Sequence, residues 1–153
     1  VAGKVGDYLQ AKLLDAVFGG GAAQSVFTGN ATVYIGVSTQ ALPATDAVLL
    51  AAEPTSAGNY SRIVVTNNTT NFTAATGASP ATKKLHVAFS FPASNAAWSS
   101  GATALATFFI ADAATLGAGN VLWAGPLTPS TDSVNGSGVT LSFAIDALQT
   151  TLG

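Results

Sequence analysis

From residue 31 onward the apolar residues of this chain recur every second position, and that restricts the fold to one dominated by strands. Val33, Ile35 and Val37 share one face of residues 31–38, with Tyr34 and Gly36 on the other. Residues 60–66 read as a second strand, Tyr60, Arg62 and Val64 on one side and Ser61, Ile63 and Val65 on the other. In residues 85–91, Leu85, Val87, Phe89 and Phe91 alternate with His86, Ala88 and Ser90, and Pro92 ends the run. Residues 104–111 are almost continuously apolar, the pattern of a strand covered on both faces. Residues 120–127 form a strand around Trp123 that Pro126 and Pro129 interrupt. In residues 139–145, Val139, Leu141, Phe143 and Ile145 alternate with Thr140, Ser142 and Ala144. Polar or proline-containing stretches separate these runs: 39–58 with a short helical turn over its apolar middle 47–52, 67–82, 112–119 and 131–138. Short strands punctuated by turns predict a mainly β chain, an antiparallel β-sandwich with a jelly-roll-like order.

Before residue 31 the period is helical. Val5, Leu9, Leu13 and Val17 recur along one stripe of residues 4–18, widened by Tyr8, Leu14 and Phe18. Asp7 is the expected N-cap, and Gly19, Gly20 and Gly21 stop the helix. So short a helix must lie on something, either its own β-core or a neighbouring subunit. With 153 residues the chain has length for one core, so residues 1–153 are expected to form a single domain with one N-terminal helix.

Charge bounds the function. Only 8% of residues are charged and the net charge is −2, against roughly 25% charged residues in an ordinary domain. A surface of small neutral polar groups does not repel its neighbours and suits a protein packed into an assembly. The five cations, Lys4, Lys12, Arg62, Lys83 and Lys84, make no basic face for nucleic acid. No apolar run reaches the length of a membrane span, so neither nucleic acid nor a membrane is expected as a partner. There is no cysteine, and His86 is the single histidine, which leaves neither thiolate nor multi-histidine metal sites. No cofactor is expected.

His86 sits on the outward face of its strand with no Gly-x-Ser-x-Gly elbow elsewhere, so it is read as solvated or interfacial. The acids are scattered. Glu53 and Asp112 lie in loops where a glycosidase pair could sit, but no cluster of exposed aromatic residues accompanies them, and both read as turn acceptors. Trp98 is expected to fold back as a lid over one end of the sandwich rather than stand out as a binding anchor. Arg62 is the only arginine, in a stretch 58–71 that holds four asparagines. Its five donors suit loop carbonyls or a carboxylate such as Glu53 or Asp112, or else an acid on another subunit. The chain is expected to have no catalytic residue. Tyr8, Leu9, Leu13, Phe18, Tyr60, Arg62 and Trp98 are its structural or interface candidates.

Several stretches in order resemble a family of small phage virion proteins known as tail-fibre-like or head-decoration proteins: Tyr8-Leu9 with Leu13-Leu14-Asp15, residues 32–39, Glu53-Pro54, Gly58 to Arg62, Thr66-Asn67-Asn68, Phe91-Pro92 with Trp98, residues 109–113 and residues 119–125. Residues 73–84 match none of these. The resemblance implies a non-enzymatic structural protein made in the host cytoplasm and carried on the outer surface of the virion. Together with the small size and sparse charge, it leads to the expectation of a capsid decoration, or cement, protein. Such a protein would bind the major capsid protein or other virion proteins and associate with itself as a trimer or dimer. A tail-fibre or baseplate module is the alternative, and a carbohydrate-binding domain a more distant one.

Overall fold

The computed structural model describes residues 3–18, 30–77, 81–98, 104–131, 134 and 136–152. The chain is mainly β, as its periodicity predicts. Strand β1 (Lys4–Val5) leads into helix α1 (Asp7–Phe18). Then come β2 (Thr32–Ser38), the short helix α2 (Asp46–Ala51), a 3-10 turn (Ser56–Gly58) and β3 (Ile63–Thr66). The second half holds β4 (Ala81–Lys84), β5 (Phe89–Ser90), β6 (Leu105–Ala111), β7 (Val121–Thr131), β8 (Ser142–Phe143) and β9 (Gln149–Leu152).

One sheet organises the rest. Its strand order is β1-β7-β6-β2-β3, antiparallel at every pair. Two ribbons, β4-β9 and β5-β8, form a second layer, so the architecture is sandwich-like, and the described strands do not close into a barrel. The main core lies between the layers: Val33, Ile35, Val37, Phe108, Ile110 and Trp123 from the sheet meet Leu85, Phe91, Leu141 and Leu148. On the sheet's other face, Leu49 and Leu50 of α2 pack with Phe109, Ala111, Val121 and Ala124. Strand β6 is therefore covered on both sides, which is why its sequence is apolar without alternation. An extra residue in β7 between the partners of Ile110 and Ala111 lets Val121 and Trp123 face opposite layers.

Several boundaries differ from the sequence expectation. The helix begins at Asp7, not at residue 4, because Lys4 and Val5 pair with Ala124 and Trp123 of β7. Asp7 is the first helical residue rather than the cap, and the first helical bond runs from Gln10 N–H to the Gly6 carbonyl. The glycines 19–21 lie outside the described residues. Residues 60–66 are a strand only from Ile63, and the alternation changes phase there: Tyr60 and Arg62 are buried, then Val65, while Val64 is 64% exposed. Residues 85–94 and 139–148 do run side by side, joined by Phe91 N–H to the Leu141 carbonyl and Leu85 N–H to the Leu148 carbonyl. Regular strand pairing between them is limited to β5 and β8, and Ile145 is exposed. Pro126 and Pro129 do not interrupt β7. Among the described residues β1 covers β7 only at Trp123 and Ala124, which leaves Pro126 on a stretch open on one side, and Pro129 falls where the register with β6 jumps from the pair Thr107 and Pro126 to the pair Leu105 and Thr131. Residues 73–84, expected as loop, close on themselves through Thr76 and Thr82 and supply β4, whose partner β9 carries no strong alternating signal.

Candidate functional site

The polar centre of the molecule is built around Glu53, which follows α2. Thr45 caps α2 by accepting from Val48 N–H, and the chain then turns so that the Glu53 side chain passes under the sheet. Arg62 meets it from the segment before β3. Nε donates to Oε1 at 2.8 Å and Nη2 to Oε2 at 2.7 Å, a two-pronged pair with side chains only 0% and 1% exposed. Arg62 Nη1 donates to the carbonyls of Ala113 at 2.6 Å and Ala118 at 3.0 Å. The guanidinium lies over the Phe109 ring, 5.2 Å from its centroid. Gly36 leaves the room: a Cβ there would overlap the end of the Phe109 ring and stand 3.0 Å from Glu53 Oε1.

Glu53 has further donors. The Tyr60 hydroxyl donates to Oε1 at 2.9 Å and accepts from Val37 N–H at 2.9 Å. Gly117 N–H donates to Oε2 at 2.8 Å. Burial, and next the Glu53 carboxylate, push the Tyr60 phenol well above its usual pKa. A carboxylate holding four donors, two of them from one arginine, has no lone pair directed at a substrate. This is a pin joining α2, β2, the start of β3 and the 113–118 turn. It is not an acid–base pair.

The other polar groups are similarly occupied. Asp112 accepts from Asn120 N–H and Nδ2, both at 2.7 Å, closing the turn as its loop position suggested. Three of the four asparagines in 58–71 donate from their side chains to backbone carbonyls: Asn59 to Ala93, Asn67 to Asn30 and Asn71 to Thr66. Asn68 Oδ1 accepts from Thr70 and Asn71 N–H. His86 is exposed and pairs through Nδ1 with Asp146 Oδ1 at 2.9 Å, and no serine is hydrogen-bonded to it among the described residues.

Three of the seven residues singled out from sequence converge. Tyr60 and Arg62 share Glu53, and the Trp98 ring stands edge-on to Tyr60 with centroids 5.1 Å apart. Trp98 is buried and donates Nε1–H to the Gly58 carbonyl at 2.7 Å. All three are interior, so they shape the surface without contributing contact area to it. Above Trp98 lies an open groove of about 330 Å3 lined by Thr39, Ala52, Glu53, Pro54, Thr55, Ala97 and Trp98. The carboxylate of Glu53 is turned away from it into the pin.

Tyr8, Leu9 and Leu13 lie apart from this cluster on α1, which packs against β7 of its own chain. Leu9 and Leu13 are half-buried, while Tyr8 is 39% and Leu14 58% exposed. The side chain of Phe18 lies outside the described residues. Sequence reasoning missed the contact that holds this arm. Lys4 Nζ is 2.7 Å from Asp46 Oδ1 and 3.2 Å from Asp7 Oδ1. Asp7 N–H donates to Asp46 Oδ2 at 2.8 Å, and Asp46 N–H to Asp7 Oδ2 at 3.4 Å. The available signal was a lysine placed ahead of an aspartate in a chain with only five cations.

The sequence model of a family described as "Podophage GP4 fiber I protein gp80" matches residues 4–151. No curated protein matches the chain. The matched span runs from β1 into β9 and so takes in the arm, both layers and the buried pin. The chain therefore belongs to the Podophage GP4 fiber I protein gp80 family, and it is a structural protein of the phage virion.

Proposed function

We propose that the protein is a non-enzymatic building subunit of a phage fibre, displayed on the outside of the particle and held by copies of itself and by other virion proteins. The fibre designation of its family, matched over residues 4–151, is the observation that carries this reading. The chemistry of the interior supports it. The buried Glu53 carboxylate and the only arginine are consumed by each other, and Asp112 is consumed by its own turn. Labelled antibody against the protein, imaged on intact particles, tests the placement. Label on the fibres is the expected result, and label confined to the capsid shell overturns it.

The same subunit on the shell, as a decoration protein burying apolar area at capsid joints, is the second reading. A compact sandwich-like body with a nearly neutral surface favours it, because such a surface packs closely without charge matching. Particles lacking a shell-bound cement would lose resistance to heat and low salt. Particles lacking a fibre subunit would keep that resistance and lose adsorption to the host.

A further inference from the structure

The β7 edge that receives the N-terminal arm accepts a very restricted sequence. A Cβ at Gly3 would overlap the Trp123 indole, and one at Gly6 would overlap the Val121 carbonyl. Between them the strand must place a lysine within reach of Asp46, and just after them an aspartate whose N–H donates to the Asp46 carboxylate and whose carboxylate accepts from the Asp46 N–H. Gly3 and Gly6 are the only glycines three apart in the chain. Residues 3–7 meet all of these requirements at once.

Through residue 14 the helix of the arm is thinly covered where it lies. None of the side chains from Asp7 to Leu14 is buried, and Tyr8 and Leu14 face solvent. A helix of this length gains little stability from its own hydrogen bonds and depends on covering its apolar face. The connection from α1 to β2 is also long. Thirteen residues, 19–31, separate Phe18 from Thr32, whereas helix-to-strand connections commonly take about 2–6. In the sheet β1 and β2 are separated only by β7 and β6, about 15 Å at usual strand spacing. A chain of thirteen residues can extend over roughly 45 Å, enough to set the arm on a neighbouring subunit.

We propose that residues 3–18 are an exchangeable assembly arm: in the assembled protein, β1 and α1 of one copy occupy the β7 edge of a second copy. Every contact of the arm is reproduced in the exchanged form, so exchange sacrifices none of them. It also places the exposed side of α1 at a boundary between two subunits, where Tyr8 and Leu14 can be covered. The inference rests on the virion-subunit reading, since it needs many copies close together.

The chain supplies its own reporter. A carbodiimide condenses a lysine amine with a touching carboxylate, forming an amide with net loss of water, and Lys4 touches both Asp46 and Asp7. Unlabelled and nitrogen-15-labelled protein are unfolded together in equal amounts, refolded, cross-linked and analysed by mass spectrometry. The Lys4–Asp7 link lies within one arm and stays isotopically pure in every case. With exchanged arms about half of the Lys4–Asp46 links carry one light and one heavy peptide, as random assortment of identical copies requires. Isotopically pure Lys4–Asp46 links overturn the arm exchange whatever the oligomeric state. Because antibody labelling of particles is read separately, that failure leaves the fibre placement standing.

Discussion

Arg62 shows how much a single side chain can carry in a chain that spends so little on charge. Removing it leaves the Glu53 carboxylate buried with no compensating cation, a loss of about 3–5 kcal/mol. Arg62→Ala is expected to lower the thermal midpoint by on the order of 10 °C for a chain of this size. Arg62→Lys should recover only part of that, because an ammonium cannot serve both carboxylate oxygens and the Ala113 and Ala118 carbonyls at once. A full recovery by lysine, measured by calorimetry, would mean that charge alone matters at this position.

Tyr60 extends the same cluster into a pH dependence. Burial and then the Glu53 charge raise its pKa above the usual value near 10. Above that pH the unfolded chain releases the phenolic proton while the folded chain keeps it. The folded state then binds more protons, so stability present below about pH 10 declines as pH rises toward the folded-state value. Tyr60→Phe is expected to flatten the alkaline limb of a urea-midpoint-against-pH curve while costing about 1–3 kcal/mol at neutral pH, since Val37 N–H loses its acceptor. An unchanged alkaline limb in the variant would assign the slope to other groups.

Among the elements, β1 and α1 differ from the rest. Strands β6 and β7 are locked by apolar residues facing two cores and β2 by residues facing one, whereas the arm is held by a two-residue pairing, close glycine contacts and a partly exposed ion cluster. Gly6→Ala forces the arm off the Val121 carbonyl and should raise hydrogen exchange across residues 4–14 while β2 and β6 stay protected. Lys4→Ala should loosen the same segment less, because a partly exposed ion pair contributes at most about 1 kcal/mol. Uniform deprotection of the whole chain by Gly6→Ala would show that the arm is part of the cooperative core. Strand β7 makes a second point at this scale. Its prolines read as terminators, yet a strand open on one side and broken in register with β6 tolerates them.

For the whole molecule, sparse charge is the governing property. Stability should change little between low salt and about 0.5 M salt, because the strongest ion pair is sealed from counterions and few exposed pairs remain to be screened. A thermal midpoint that falls steeply with added salt would contradict this. A nearly neutral coat of alanine, serine, threonine and asparagine also lets neighbouring proteins approach without charge matching, which suits a structural protein of the virion.

The strands that could be read in advance were those whose signal is local. Val33, Ile35 and Val37 declared their shared face by spacing, and the unbroken apolar run of β6 declared burial on both sides. Glu53 was named among the possible acceptors for Arg62 because a lone arginine beside apolar residues needs a carboxylate or carbonyls. Choosing Glu53 over Asp112 was a tertiary matter. It depended on α2 turning Glu53 inward and on Gly36 leaving space for it. The phase change at Ile63, the two-residue strand ahead of α1 and the pairing of β4 with β9 were equally illegible, since each is created by a partner far away in the chain. Alternation determined which faces could be apolar, and with composition it determined a mainly β chain of low charge. Only the tertiary structure decided which strand meets which, because backbone hydrogen bonds are the same at every residue and only packing between distant side chains selects among the pairings.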